Sequence, residues 1–412
     1  MSSDAACCVV GGGPGGVMLS LLLARAGIRV TLLEAHHDFD RDFRGDTIHP
    51  STLEVLDQIG LADRLHQLPH VKAPSFRIVS GTESHTTAVF SRLPTRFPYI
   101  MMMPQSRFLE FLIEEARRYP TFSLVMGARV QRLLTERGAT RGVGYRVGDR
   151  DHEVRAQLTV GADGRFSQVR KLADIEPVSV SGTIEVIWLR LPRRPDDRHD
   201  EASLRVGDRH VAAILGRTNE WQVGCVLNKG GYQRLKHDGI ESLRRSIATS
   251  VPWLADRVSL ISDWRQINVL SVDASRVVTW HRPGLLLIGD AAHVMLPVGG
   301  VGINCAIADA VEAVNVLAEP LRNGRVEERH LAEVQRRRER YTKIIQGFQA
   351  GVQRGVAATI DSGKPFRPPL PVRLMLRTPI LRNLPARLTA FGVKRVRLDE
   401  TQIRGRPQDA AG

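Results

Sequence analysis

Hydrophobic and polar positions alternate along the first part of the chain with two different periods. Residues 6–10 form a short apolar run, 11–16 are glycine-rich, 17–26 have helical composition, and 28–33 are apolar and β-branched, ending at Glu34. This order predicts strand, turn, helix, strand: a βαβ unit. Ser51-Thr-Leu-Glu54 has capping-box spacing ahead of Leu53, Val55 and Leu56, which predicts a helix running to Ile59 and stopping at Gly60. A further amphipathic helix is predicted over 105–119.

From 122 to 160 strand-like runs alternate with glycine-rich or charged turns, predicting a small antiparallel set that feeds a strand at 157–160. Between 178 and 272 the character changes, with strands predicted at 183–191, 210–215 and 221–227 around one helical stretch at 232–249. A fully apolar strand at 285–288 and a long helix at 304–317 follow. A dinucleotide-type domain is therefore expected to be interrupted by an antiparallel sheet domain and then resumed.

Composition narrows the classes. At 412 residues, 42% hydrophobic and 25% charged, the chain can bury a sizeable core and is long for one domain. Its 36 Gly and 22 Pro have no collagen-like or linker period. The longest strongly apolar stretch, 17–24, stops at Arg25, short of the roughly 20 residues of a membrane span. Nothing basic precedes Arg25, so the charged region of a secretory signal is missing and a cytoplasmic location is expected. Cys7, Cys8, Cys225 and Cys305 suit neither a disulfide framework nor a zinc site, and no metal centre is expected.

The net charge of +14 is uneven: residues 321–412 hold 20 Lys plus Arg against 8 Asp plus Glu, net +12. Prolines interrupt these arginines and aromatic residues do not interleave them, so a nucleic-acid surface is not expected. Arg373, Arg377, Arg382 and Arg387 lie among leucines. Either the leucines pack on the rest of the chain, the favoured reading, or the segment touches an anionic membrane.

Gly11-Gly12-Gly13-Pro14-Gly15-Gly16 fits G-x-G-x-x-G between a strand and a helix. The first glycine permits the tight turn, the second lets backbone approach a pyrophosphate, and the third permits close helix–sheet packing. The helix N-terminus offers N–H groups and a positive dipole end to phosphates. Glu34 stands where a carboxylate can accept from ribose hydroxyls and would repel a 2′-phosphate. Further on, an apolar strand ends in Gly289-Asp290, and Pro297, Gly299, Gly300 and Gly302 precede the long helix. Asp290 is the principal cofactor candidate, with a helix N-cap as the competing reading.

The run Leu285 to His293, followed by Pro297-Val-Gly299-Gly300-Val-Gly302-Ile303-Asn304, resembles the second FAD-binding motif of the single-component flavoprotein aromatic hydroxylases, the p-hydroxybenzoate hydroxylase-like family. Gln157-Leu-Thr-Val-Gly-Ala-Asp163-Gly164 resembles that family's Asp-Gly motif, and Phe166 departs from it where a polar residue is usual. The resemblance implies an α/β chain with a Rossmann-like FAD-binding domain (1–70, 100–177 and 273–320), an antiparallel-sheet substrate domain (71–99 and 178–272) and a helical basic C-terminal segment (321–412). It also implies that Ala35, Arg44, Gln105 and Asp163 touch FAD. For Arg44 the alternative is a surface salt bridge, for Gln105 a helix cap, and for His293 a core histidine.

The activity so implied is an FAD-dependent monooxygenase. NADPH or NADH reduces the flavin and leaves, O2 is captured as a C4a-hydroperoxide, and a phenolic or polyketide-like aromatic is hydroxylated. The alternatives are a flavoenzyme acting on a quinone or prenyl lipid and a non-catalytic flavin-binding relative. A halogenase is disfavoured because W-x-W-x-I-P is absent from the sequence. Trp188, Trp221, Tyr99 and Met101 to Met103 are candidate pocket residues that compete with a core role.

Overall fold

Strand β1 (Ser2–Val10) enters the glycine loop, helix α1 (Pro14–Arg25) leaves it, and strand β2 (Val30–Glu34) returns beside β1. A computed structural model describes residues 2–39, 46–80, 83–181, 184–197, 202–207, 210–362, 378 and 383–403. Arg44, Arg373, Arg377 and Arg382 lie outside the described residues. Short strand β3 (Thr47–Ile48) and helix α2 (Pro50–Gln58) follow. The chain then forms a hairpin of β4 (Ser75–Ser80) and β5 (Glu83–Val89), helix α3 (Gln105–Ala116), and strands β6 (Phe122–Met126) and β7 (Arg150–Gly161).

Helix α4 (Gln168–Leu172) leads into strands β8 (Ile184–Pro192), β9 (Ala202–Gly207), β10 (His210–Gly216) and β11 (Glu220–Asn228). Helix α5 (Ile240–Ser250), strands β12 (Asn268–Val272) and β13 (Leu285–Leu287), and helices α6 (Gly302–Arg322), α7 (Glu328–Ser362) and α8 (Leu384–Phe391) complete the fold.

Five strands, β13, β7, β1, β2 and β6, lie side by side and parallel. Both faces of such a sheet are covered, so Cys7 to Val10 and Leu285 to Leu287 are all buried. Register pairs Val10 with Leu33 on one side and Gly161 on the other. The strand ends thus finish at one edge, where open α/β sheets bind ligands.

The second sheet has the order β12-β8-β11-β10-β9-β4-β5. On β11, Trp221, Val223 and Cys225 pack with Leu243 and Ile247 of α5. The alternate positions Gln222 and Val226 face the other way, into a cavity.

Several sequence expectations are corrected. Phe122–Met126 joins the parallel sheet beside β2, because its register with Val30 to Glu34 continues the nucleotide core. The expected helix at 232–249 is two, Gly231–His237 and Ile240–Ser250, split where Gly239 takes φ 85°. The capping box at Ser51 does not form: His49 occupies the cap position and Pro50 the first helical position, which its fixed φ suits. Strand β9 was not read from the sequence, and it pairs in parallel with β4.

Among the described residues one helical stretch, Val298–Arg322, is long and apolar enough to cross a membrane, a segment the sequence reading passed over. Within that stretch 67% of the apolar window is buried inside the protein. At the C-terminal end, Ala386, Ala390 and Phe391 of α8 pack with Ala88, Phe90 and Leu93, while Val396, Leu398 and Ile403 join the main core.

Candidate active site

The glycine loop fits a pyrophosphate at three levels. Gly11 takes φ 107°, and a Cβ there would meet the Ala162 carbonyl oxygen at 2.5 Å. A Cβ on Gly16 would collide with the Gly11 carbonyl, so helix and turn can close only without a side chain. Around Gly13 the space is open, its nearest neighbour being the Ala162 oxygen at 3.9 Å. With Pro14 in the first turn, no side-chain cap and no acidic residue there, the α1 N-terminus is left to an anion.

Glu34 is buried at the end of β2. Its Oε2 accepts from the Gly12 N–H (2.7 Å), and its Oε1 accepts from the His36 N–H (2.9 Å). The carboxylate thus also fixes the glycine turn. Ala35 and Gln105 line the cavity beside it. Gln105 is the first residue of α3 and Pro104 its cap, so the competing capping role is not the one seen.

Asp163 borders the cavity, but its carboxylate is engaged by α4. Oδ1 accepts from Ser167 Oγ (2.5 Å), and Oδ2 from the N–H groups of Gln168 (2.7 Å) and Val169 (3.0 Å). Burial pushes its pKa up against these bonds. Phe166 stands 74% exposed on the same rim, with the Arg165 guanidinium 5.0 Å from its ring.

Asp290 follows Gly289 in a short turn whose cap position is Ile288, so it is not the N-cap of that turn. Behind it lies a buried charge cluster. Asp309 Oδ2 accepts from the Gly289 N–H (2.9 Å) and from His293 Nε2 (2.6 Å), and Oδ1 accepts from Arg338 Nε (2.7 Å). Burial opposes ionisation of Asp309, yet His293 and Arg338 outweigh it and hold the carboxyl at about 2. His293 is 1% exposed; it is a core histidine that helps fix the Gly289-Asp290 turn.

The loop from Val294 to Gly302 closes the cavity's second side. Gly299 and Gly300 take φ 75° and 61°. A Cβ on Gly300 would collide with Thr47, whose Oγ1 donates to the Gly300 carbonyl at 2.9 Å. No atom outside its own neighbourhood lies within 4 Å of a Cβ on Gly302, at the uncapped start of α6. Pro297 and Ile303 also line the cavity.

Asn304, expected to touch the cofactor, is engaged within the fold. Its Oδ1 accepts from the His49 N–H (2.9 Å) and Thr52 Oγ1 (2.8 Å), tying α2 to this loop.

Two buried glutamines of α7, missed in the sequence, hold the loop from behind. Gln349 Oε1 accepts from the Leu296 N–H (3.2 Å), and its Nε2 donates to the carbonyls of Leu296 and Val298 (both 2.8 Å). Gln346 Nε2 donates to the Val294 and Ser275 carbonyls (both 3.0 Å). The available signal was weak, since they are two of four glutamines in this helix, with Gln335 and Gln353 the others.

Asp46, also missed, lines the cavity and is paired with Arg217, which directly follows β10 of the second sheet. Of the aromatic and sulfur candidates, Trp188 and Met102 line the cavity, while Met101, Met103 and Trp221 are core. Tyr99 pairs with His66 Nε2 at 2.5 Å. Burial pushes the Cys8, Cys225 and Cys305 thiols up to about 12, so they are packing groups and not nucleophiles.

Residues 4–347 match the FAD binding domain family. The chain belongs to this FAD-binding family of flavoprotein monooxygenases. It is 35% identical over 393 residues to the 6-methylpretetramide 4-monooxygenase of Streptomyces rimosus, covering 95% of this chain and 93% of that one. It is 24% identical to the para-nitrophenol 4-monooxygenase of Pseudomonas sp. WBC-3, covering 77% and 78%. PqsL, a probable FAD-dependent monooxygenase from Pseudomonas aeruginosa, shares the fold at TM-score 0.74 and 21% identity, over 88% of this chain and 98% of that one. FAD is the family's cofactor, and the open cradle at Gly13 and Gly302 fits it.

Proposed function

We propose that this flavoprotein hydroxylates a phenolic or polyketide-like aromatic, with NADPH or NADH as transient reductant and O2 as co-substrate. The observation that carries the reading is one continuous cavity of about 1250 Å³, from the glycine loop past Gly299 and Gly300 to the apolar face of the second sheet. Single small-molecule sites occupy roughly 300 to 1,000 Å³, so cofactor and substrate have room side by side. The similarity to monooxygenases of a pretetramide and of a nitrophenol supports an aromatic substrate.

In this reading the α1 N-terminus and Gly13 hold the pyrophosphate, Glu34 and Ala35 the adenosine ribose, and Gln105, Gly289 and Asp290 the ribityl chain. Pro297, Gly299, Gly300, Gly302 and Ile303 face the flavin ring. Asp163 acts through α4, keeping the Ala162–Asp163 corner beside Gly11. Bound FAD supplies the electron transfer from NAD(P)H and the activation of O2. The protein's part is to orient the two ring systems, exclude water with Ile184, Val186 and Leu215, and direct the α6 dipole at charge developing on the flavin.

The test is NADPH oxidation and hydrogen peroxide release by the FAD-loaded protein across a panel of phenols. Oxidation stimulated by a phenol, with peroxide falling as hydroxylated product rises, is the expected result. No stimulation by any aromatic compound, with FAD bound, would contradict the proposal.

A further inference from the structure

Helix α7 does more than clamp the loop at 294–298. It also runs beside β10 and β11 of the second sheet, and one of its faces carries Gly347, Gly351 and Gly355. All three line the cavity, and a Cβ on any of them would have no neighbour within 4 Å outside the helix itself. Spaced four apart they share a face and span about 12 Å of helix, the length of roughly four linearly fused six-membered rings. Glycine costs helix stability in an interior position, so three at this spacing mark a face kept flat.

The wall opposite is the sheet, apolar at Ile184, Val186, Leu215 and Val226. One polar side chain interrupts it. Gln222 is 3% exposed, lines the cavity, and its Oε1 has no hydrogen-bond partner. Trp188 sits diagonally across on the adjacent strand, paired in register with Gly224. Its ring carbon would lie 2.5 Å from a Cβ at Gly224, so glycine lets the indole lie flat on the sheet. The Trp188 Nε1 is likewise buried without a partner. A buried amide oxygen and a buried indole N–H left unpaired are the pattern of a site completed by a ligand bearing both a donor and an acceptor.

We propose that this slot binds a planar, fused-ring hydroxy-ketone, gripped at its oxygen-bearing edge by Gln222 and Trp188 and lying flat against the Gly347, Gly351 and Gly355 face. The proposal rests on the monooxygenase reading and specifies its substrate class. A phenol hydroxyl donates to Gln222, the neighbouring ring carbonyl accepts from Trp188, and the fused rings fill the space a side chain on α7 would take. A single-ring phenol leaves most of the slot empty.

The test is equilibrium binding to the FAD-loaded protein, read by flavin absorbance and tryptophan fluorescence. The probes are 1,8-dihydroxyanthraquinone and 4-hydroxybenzoate. The three-ring probe is expected to bind at least about tenfold tighter than the single ring. Gly351→Leu, which fills the slot, and Gln222→Leu, which removes the anchor, should each weaken it about tenfold with FAD content unchanged. Gln222→Glu, which keeps an acceptor, should retain more affinity than Gln222→Leu. Equal affinity for both probes, or unchanged three-ring binding in both leucine variants, would overturn the proposal. NADPH oxidation measured on the same samples reports on the monooxygenase reading separately, since binding does not require turnover.

Discussion

At the scale of single residues, the cofactor site depends on where side chains are missing as much as on where they are present. Gly13 stands in open space and Gly11 and Gly16 in closed space, and substitutions should separate the two kinds. Gly13→Val places a branched side chain into the proposed pyrophosphate position, where its Cβ has only the Ala162 oxygen nearby, at 3.9 Å. The expected outcome is a folded, colourless protein by circular dichroism and flavin absorbance; a folded variant with full FAD would move the nucleotide site elsewhere.

Asp290→Ala tests the opposite kind of position. Removing the carboxylate proposed to accept from ribityl hydroxyls should cost about 1.5 to 3 kcal/mol, roughly one to two decades of FAD affinity by titration of the apoprotein. Unchanged affinity would leave Asp290 a turn residue. Both positions are legible in the sequence because their signals are local: a glycine spacing after a strand, and Gly-Asp after an apolar run. The ties of Asn304 to His49 and Thr52 were not legible, because these partners are some 250 residues away in the chain.

At the scale of elements, the loop at 294–302 is held by helices on both sides. Gln346 and Gln349 of α7 bind it from behind, Asn304 of α6 ties it to α2, and α8 closes over α2 through His49. His49 Nδ1 lies 2.7 Å from the Thr389 carbonyl, and burial, against that bond, lowers the imidazole from 6.5 to about 4. The unfolded chain therefore takes up this proton near pH 6.5 and the folded chain only near 4. Stability from this group is complete above 6.5 and is lost as pH falls toward 4, by up to about 1.4 kcal/mol per pH unit.

Urea unfolding at pH 7 and pH 5 should show that loss in the natural protein and a smaller one in His49→Gln. Identical pH dependence in the two would remove His49 from the account. Such ties were hidden because they join distant segments. The strand β9 is a similar case, since its parallel partner β4 precedes it by more than a hundred residues. Helix α1, by contrast, was plain from its apolar composition.

At the scale of the whole molecule, the basic C-terminal region is part of the fold as far as it is described. Ala386, Ala390, Phe391, Val396, Leu398 and Ile403 are all buried, whereas Arg387 and Arg397 face outward. Pro385 and Thr389 of α8 also line the cavity. Of the leucines expected to pack, Leu384 is 51% exposed and Leu388 is half-buried, so the choice between packing and membrane contact rests on experiment. Truncation before Asp361 should reduce soluble folded protein, and the full chain should not co-sediment with anionic liposomes at low salt. Salt-sensitive lipid binding together with a well-folded truncated protein would favour membrane contact.

The central claim, that this chain uses FAD to place an oxygen atom from O2 on an aromatic ring, is tested most directly by isotope incorporation. The FAD-loaded protein, NADPH and 1,8-dihydroxyanthraquinone, with single-ring phenols in parallel, are incubated under 18O2 and the products weighed by mass spectrometry. The account predicts a product carrying one 18O atom in a new hydroxyl group. NADPH consumption that yields only hydrogen peroxide with every aromatic compound, or a hydroxyl whose oxygen comes from water, would contradict it.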